Sequence, residues 1–225
     1  MSSFKTLDDL GDITGKVALV RVDLNLPMKD GSATDVSRVE AVKPTILELA
    51  DKGAKVLLLA HYGRPKGQRF STMSTSFVQG DVEKVLDKEI MFIPEVMGPV
   101  VEQSIGILGN GDIGLLDNVR FWPGEEANDA DFAAGMAEHA DIYVNDAFSA
   151  AHRAHASTEG LARRVIALVG IEKAKRHIVG DAHWPRRFDL RPDAILQCFH
   201  RAAARALSIA HTPTSTITPT SAFPL

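Results

Sequence analysis

Apolar residues recur along the chain in two alternating rhythms. Short runs at residues 17–22 (VALVRV), 55–60 (KVLLLA), 89–93, 113–116 and 141–144 (DIYV) read as strands buried in a parallel sheet. Between them the apolar positions fall at helical spacing. Val39, Val42, Ile46 and Leu49 share one face of a helix opened by Ser37, the expected N-cap, with Glu40 completing a capping box. Gly53 stops that helix. Residues 76–88, 98–108 and 130–139 read as further helices, the last capped by Asn128 or Asp129. Strand–helix alternation of this kind predicts an α/β fold: a doubly wound, Rossmann-like parallel sheet with helices on both faces.

The rhythm stops after about Arg163. Residues 192–210 form a possible amphipathic helix, with Pro192 in its first turn and Arg201 and Arg205 on a solvated face. Residues 212–225 (TPTSTITPTSAFPL) are Thr/Pro-rich and uncharged, and are expected to be disordered. Charge separates the same two parts. Residues 1–162 carry 9 Lys and 6 Arg against 25 acids, a balance of −10, whereas 163–225 carry 2 Lys and 8 Arg against 4 acids, a balance of +6.

Other classes find little support. No apolar run reaches the roughly 20 residues of a membrane span, and residues 1–6 lack a signal-peptide core. The lone Cys198 forms no internal disulfide, which fits a cytoplasmic protein. Gly109-Asn-Gly111-Asp-Ile-Gly114 has dinucleotide-binding spacing but precedes a strand instead of following one. His152-x-x-His155 has metal-like spacing without further ligands nearby, so no metal site is expected. The basic tail lacks the aromatic interleaving of a nucleic-acid groove.

Candidate chemistry collects at strand ends, where open α/β sheets bind ligands. The first strand delivers Asp23 and Asn25, with Arg38 opening the next helix. The second delivers His61 and Arg64, and later strands deliver Arg120, then Asn145-Asp146 followed by His152, Arg153 and His155. Asp and Asn also end strands because they suit turns, and single arginines are commonly solvated charges. Four arginines gathered at strand ends inside an acidic segment instead suit a small, multiply charged anion, whose oxygens guanidinium groups match bidentately.

At these residues the sequence resembles phosphoglycerate kinase, in its N-terminal domain. The motifs are Val20-Arg-Val-Asp-Leu-Asn-Leu-Pro27, Ser37-Arg-Val-Glu40, His61-Tyr-Gly-Arg-Pro-Lys66, Leu116-Asp-Asn-Val-Arg-Phe121, Gly124-Glu-Glu126 and Asn145-Asp-Ala-Phe-Ser-Ala-Ala-His-Arg-Ala-His-Ala-Ser157. They recur in family order over about residues 4–162, giving domains of 1–162 (3-phosphoglycerate-binding) and 163–225 (a divergent tail). The resemblance implies phosphoryl transfer between 1,3-bisphosphoglycerate and ADP, giving 3-phosphoglycerate and ATP, with Mg-ATP/ADP as the nucleotide. It implies a glycolytic, cytoplasmic and usually monomeric protein with no nucleic-acid or membrane partner. Carried over by position, Asp23, Asn25, Arg38, His61, Arg64, Arg120 and Arg153 bind 3-phosphoglycerate, and Arg38 also stabilises the phosphoryl group in flight.

Departures from the family shape the expectation for this chain. Family members carry a second, nucleotide-binding domain, and residues 163–225 do not resemble it, as if the gene product were truncated or frameshifted. Residues 68–81 and 95–107 also drift from the family pattern, and Asp117 stands where the family usually has Glu. The chain is therefore expected to keep the 3-phosphoglycerate half-site and to be inactive alone. The alternatives are a non-catalytic anion-binding or interaction module whose tail docks a partner, and a chain that does not fold.

Overall fold

The structure is a computed structural model that describes residues 7–151, 153–164 and 166–169. All of them fall in the first of two units, Met1–Trp184 and Pro185–Leu225. The helix expected over 192–210, the disorder expected over 212–225 and the candidate residue His152 lie outside the described residues.

Six strands form one parallel sheet: β1 (Val17–Arg21), β4 (Lys55–Leu59), β5 (Ile90–Ile93), β6 (Ile113–Leu116), β7 (Ile142–Asn145) and β8 (Ile166–Val169). Their order is β5-β6-β4-β1-β7-β8, and every neighbouring pair is parallel. A hairpin of β2 (Met28–Lys29) and β3 (Ser32–Ala33) follows β1. Its turn residues Asp30 and Gly31 both have positive φ, 51° and 82°, as a tight Asp-Gly hairpin turn requires. Helices α1 (Ser37–Asp51), α2 (Ser76–Leu86), α3 (Pro99–Ile107), α4 (Pro123–Glu126), α5 (Ala130–Ala137), α6 (Phe148–Ala151) and α7 (Leu161–Arg164), 3₁₀ turns at Leu7–Leu10, Ser71–Met73 and Val119–Phe121, and a π-helical turn at Ala156–Gly160 complete the described elements.

The alternation of side chains along a strand explains why helices cover both faces. Ala18 and Val20 of β1, with Val56 and Leu58 of β4, pack with Val39, Val42, Ile46 and Leu49 of α1 and Val78 and Val82 of α2. Val17, Leu19, Leu57 and Leu59 turn the other way, toward Val101 of α3, Phe132 and Met136 of α5 and Leu161 of α7. Ile46 and Leu49 are fully buried, worth about 1.5–3 kcal/mol each by area. The doubly wound α/β architecture expected from the alternation is therefore the architecture observed.

Two local expectations need adjustment. Ser37 is the first residue of α1 and not its cap; Val36 takes that place with no side-chain bond, and Asp35 Oδ1 accepts from the Ser37 amide at 2.8 Å. Asx-type bonding at the earlier residue outcompetes the capping box. At the far end the expectation holds: Gly53 has φ +81°, its amide donates to Ala50 O, and the Ala54 amide donates to Leu49 O, the paired bonds of a Schellman stop. Finally, the alternation does not end at Arg163. Strand β8 adds a sixth parallel strand beside β7, pairing Ile142 with Ile166 and Asn145 with Val169.

The chain order sets where a ligand fits. From β1 the path runs outward to β4, β5 and β6, then returns to β7 on the opposite flank of β1. That reversal is a topological switch point, and in open α/β sheets the crevice beyond such strand ends holds the ligand.

Candidate acceptor site at the strand ends

Beyond Arg21 the chain stays extended, so its residues alternate. Val22, Leu24 and Leu26 enter the core, while Asp23 and Asn25 have the opposite facing. Asp23 Oδ2 accepts from Arg38 Nη1 at 2.6 Å and from Ser149 Oγ of α6 at 2.5 Å, and Oδ1 accepts from the Asn25 amide at 3.1 Å. Burial pushes the Asp23 carboxyl up, but the bonds from Ser149 and Arg38 outweigh it and hold the group below its ordinary 3.8. Asp23 thus ties the end of β1 to the starts of α1 and α6.

Asn25 organises the loop after β4. Its Oδ1 accepts from the Gly63 amide at 2.9 Å. Gly63 has φ +63°, a left-handed conformation that glycine adopts without penalty. From the other side, fully buried Asn118 donates Nδ2 to Tyr62 O at 2.6 Å and Met73 O at 2.9 Å, while its Oδ1 accepts from the Arg120 amide at 3.0 Å. The Arg120 side chain returns to the same loop, Nη1 to Gly63 O at 3.3 Å, with Nε 3.5 Å from Glu126. Asp117 is a buried anchor: it accepts from Ser74 Oγ, the Thr75 amide and the Asn118 amide at 2.8–3.0 Å.

Beneath this loop lies a charged network. Arg21, fully buried in β1, donates Nη2 to His61 Nδ1 at 2.9 Å, Nε to Ser157 Oγ at 3.0 Å and Nη1 to Val22 O at 2.5 Å. Ser157 in turn donates both its amide (2.8 Å) and its hydroxyl (2.5 Å) to the carboxylate of Glu125, which is also buried. His155 Nδ1 lies 3.6 Å from Glu125 Oε1. Burial alone raises Glu125, yet His155, Arg21 and Ser157 lower it below its ordinary value, so it is held as a carboxylate. His61 is driven the other way, down to about 3, first by burial and then by Arg21 and Arg120. It is a neutral imidazole at neutral pH.

Direct contacts therefore join Asp23 with Arg38, Asn25 with the His61–Arg64 loop, and Arg120 with that loop. Arg64 is exposed and makes no hydrogen bond or ion pair among the described residues. Arg153 is exposed, and its charge, with that of Arg21, lowers Arg120 after burial does. Cations held close enough to depress one another make this place favourable to an anion. Reasoning from the sequence passed over Arg21, Ser149, Ser157, Glu125 and Asn118. Arg21 alone had a local signal, being a charge inside an apolar strand. The Gly109–Gly114 stretch is a turn that enters β6, with the Gly109 amide on Asp112 Oδ2 at 2.7 Å. A Cβ at Gly114 would meet Ile93 and Leu57 at 3.0 Å, so that glycine serves packing.

A profile of the phosphoglycerate kinase family matches residues 7–176, beyond the stretch of about 4–162 that carries the motifs. The phosphoglycerate kinase of Sphingopyxis alaskensis is 59% identical over 170 residues, covering 76% of this chain and 43% of that protein. That of Rhizobium johnstonii is 58% identical, covering 76% and 42%. Among solved structures, phosphoglycerate kinase from Pyrococcus horikoshii OT3 superposes with a TM-score of 0.68 at 30% identity, covering 83% of this chain and 47% of that one. The Coxiella burnetii phosphoglycerate kinase gives 0.68 at 31%, covering 82% and 46%. The chain spans less than half the length of these relatives. Over its matched residues, the chain belongs to the phosphoglycerate kinase family.

Proposed function

We propose that residues 7–169 are the acceptor half of a phosphoglycerate kinase, the part that holds 3-phosphoglycerate or 1,3-bisphosphoglycerate while a phosphoryl group passes to or from ADP. The observation that carries this reading is the convergence of Asp23, Asn25, Arg38, His61 and Arg120 beyond the ends of β1, β4 and β6, joined by the contacts Asp23–Arg38, Asn25–Gly63 and Arg120–Gly63. Arg64, Arg120 and Arg153 supply positive charge for the phosphate and carboxylate. Asn25 and His61 supply neutral polar groups, and Asp23 accepts from donors such as a ligand hydroxyl. Arg38, half exposed and opening α1, is placed to neutralise charge on the moving phosphoryl group. Positioning and charge neutralisation provide most of the catalysis in phosphoryl transfer.

Mg-ADP belongs to the family reaction, and among the described residues no group of three His, Cys, Asp or Glu side chains could hold a metal ion. No residue of this segment is therefore assigned to magnesium. The 225-residue polypeptide is expected to bind 3-phosphoglycerate without forming ATP, since the matched residues correspond to under half of each relative. No described helix is long and apolar enough to cross a membrane, and we place the protein in the cytoplasm with glycolysis. Calorimetric titration with 3-phosphoglycerate, beside an assay of ATP formation from 1,3-bisphosphoglycerate and Mg-ADP, tests both parts. Heat of binding with no ATP is the expected pair. ATP formation overturns the half-site reading, and absence of binding overturns the acceptor reading.

A further inference from the structure

A fully buried arginine inside a sheet is costly unless each of its donors has a defined partner, so what Arg21 is bonded to bears on its use. Glu125, as a carboxylate, can only accept. Ser157 has one hydroxyl hydrogen, and at 2.5 Å it goes to Glu125 Oε1. The Ser157 oxygen is then left to accept from Arg21 Nε at 3.0 Å. The guanidinium has donors and no acceptor, so the 2.9 Å contact between Arg21 Nη2 and His61 Nδ1 can run in one direction only. His61 Nδ1 must be bare. In a neutral imidazole the hydrogen then sits on Nε2, because the bond made by one ring nitrogen sets the state of the other. His61 Nε2 makes no hydrogen bond to the described residues, so its donor is available.

From this one-way series, Glu125 ← Ser157 ← Arg21 → His61, we infer that Arg21 is a positioning residue: it fixes His61 as an Nε2–H donor directed to an anionic oxygen of the bound acceptor. The inference rests on the acceptor reading above for the identity of that oxygen, and on the contacts alone for the tautomer. Its chemical use is specific. A histidine free to protonate or to switch tautomers would present Nε2 as donor only part of the time. One locked by Arg21 presents it throughout, and does so without adding another charge beside Arg120. The charged and titratable groups around His61 come from each element near it: Arg21 on β1, Asp23 just after β1, Arg120 after β6 and Glu125 on α4. The two cations oppose protonation more strongly than the two carboxylates favour it.

The test is long-range ¹H–¹⁵N NMR of the histidine rings in the full 225-residue chain, with His61 assigned by comparison with His61→Gln. The expected result is one His61 form, with an unprotonated Nδ1 and a protonated Nε2, unchanged as the pH falls from neutral through the ordinary histidine range. A tautomer mixture, an Nδ1–H form or protonation in that range overturns the inference. In Arg21→Met, where burial and Arg120 still oppose protonation, His61 is expected to populate both tautomers and to protonate more readily than in the unaltered chain; a single Nε2–H form persisting there also overturns it. Should Arg21→Met fail to fold, the tautomer of the unaltered chain decides. Adding 3-phosphoglycerate separates the two readings. A locked His61 whose signals ignore the ligand overturns the acceptor assignment and leaves the Arg21–His61 relation standing. Tautomer exchange in a chain that binds overturns the relation alone.

Discussion

Arg38 Nη1 reaches Asp23 Oδ2 at 2.6 Å, so the first turn of α1 is latched to the end of the central strand β1. The Arg38 side chain is 47% exposed and that of Asp23 only 12%. An ion pair with one solvated partner contributes little to stability, under about 1 kcal/mol. A charge-assisted bond to a bound anion is worth roughly 1.5–3 kcal/mol, or about 10–100-fold in affinity. Arg38→Ala is therefore expected to weaken 3-phosphoglycerate binding by about that factor while leaving the urea midpoint nearly unchanged. Calorimetry beside urea unfolding checks both.

Asn118 holds the His61–Arg64 loop through two backbone carbonyls. Asn118→Ala leaves the carbonyls of Tyr62 and Met73 and the Arg120 amide short of a partner in a buried place. Each unsatisfied group costs about 1–3 kcal/mol. A loss of roughly 2–4 kcal/mol is expected after partial relaxation, together with weaker 3-phosphoglycerate binding, because the loop carrying His61 and Arg64 loses its anchor. Urea unfolding followed by ligand titration of the surviving folded fraction reads both effects.

Glu125 balances the buried charge of Arg21 through Ser157. Glu125→Ala removes the carboxylate and strands the guanidinium, a change that costs about 3–5 kcal/mol when a buried pair is broken. Glu126→Ala, one residue along, removes a half-exposed partner of Arg120 and is expected to cost under about 1 kcal/mol. Comparing the two unfolding midpoints shows whether the buried network or surface charge holds this edge of the sheet.

His61 makes stability depend on pH in a stated direction. Its folded value is lowered from 6.5 to about 3, so between those values the unfolded chain binds a proton that the folded chain does not. Its contribution is complete above 6.5 and is lost as the pH falls below it, by up to about 1.4 kcal/mol per pH unit. Asp23 and Glu125, both lowered from their ordinary values, contribute above their unfolded values and add their loss only at lower pH. Urea midpoints measured from neutral to mildly acid pH are expected to fall for the wild type and to fall less steeply for His61→Gln.

The fold was largely legible because each buried strand is an apolar run and each helix shows its spacing. Arg21 did not obscure β1, since its charge is met within the core. Strand β8 was missed because its short apolar run follows directly on Arg163 and Arg164, where the text turns basic. At the site, Asp23, Asn25, His61 and Arg120 could be found because they stand where apolar runs end. Their supports could not. Ser157 and Glu125 meet Arg21 across long sequence separations, and Ser149 meets Asp23 in the same way. No local periodicity records such contacts. Asp117 reads in the structure as the anchor of the 74–75 turn.

The most direct test of the acceptor site is a ¹⁵N–¹H amide spectrum of the full chain, recorded at low salt before and after adding 3-phosphoglycerate. Low salt matters because exposed Arg38, Arg64 and Arg153 act over distances that counterions screen. The expected result is saturable shifts concentrated at Asn25, Arg38, Gly63, Arg64 and Arg120, abolished in Arg38→Ala at the same ligand concentration. A folded, dispersed spectrum that ignores 3-phosphoglycerate, or shifts confined to residues away from the ends of β1, β4 and β6, would contradict an acceptor site at this edge of the sheet.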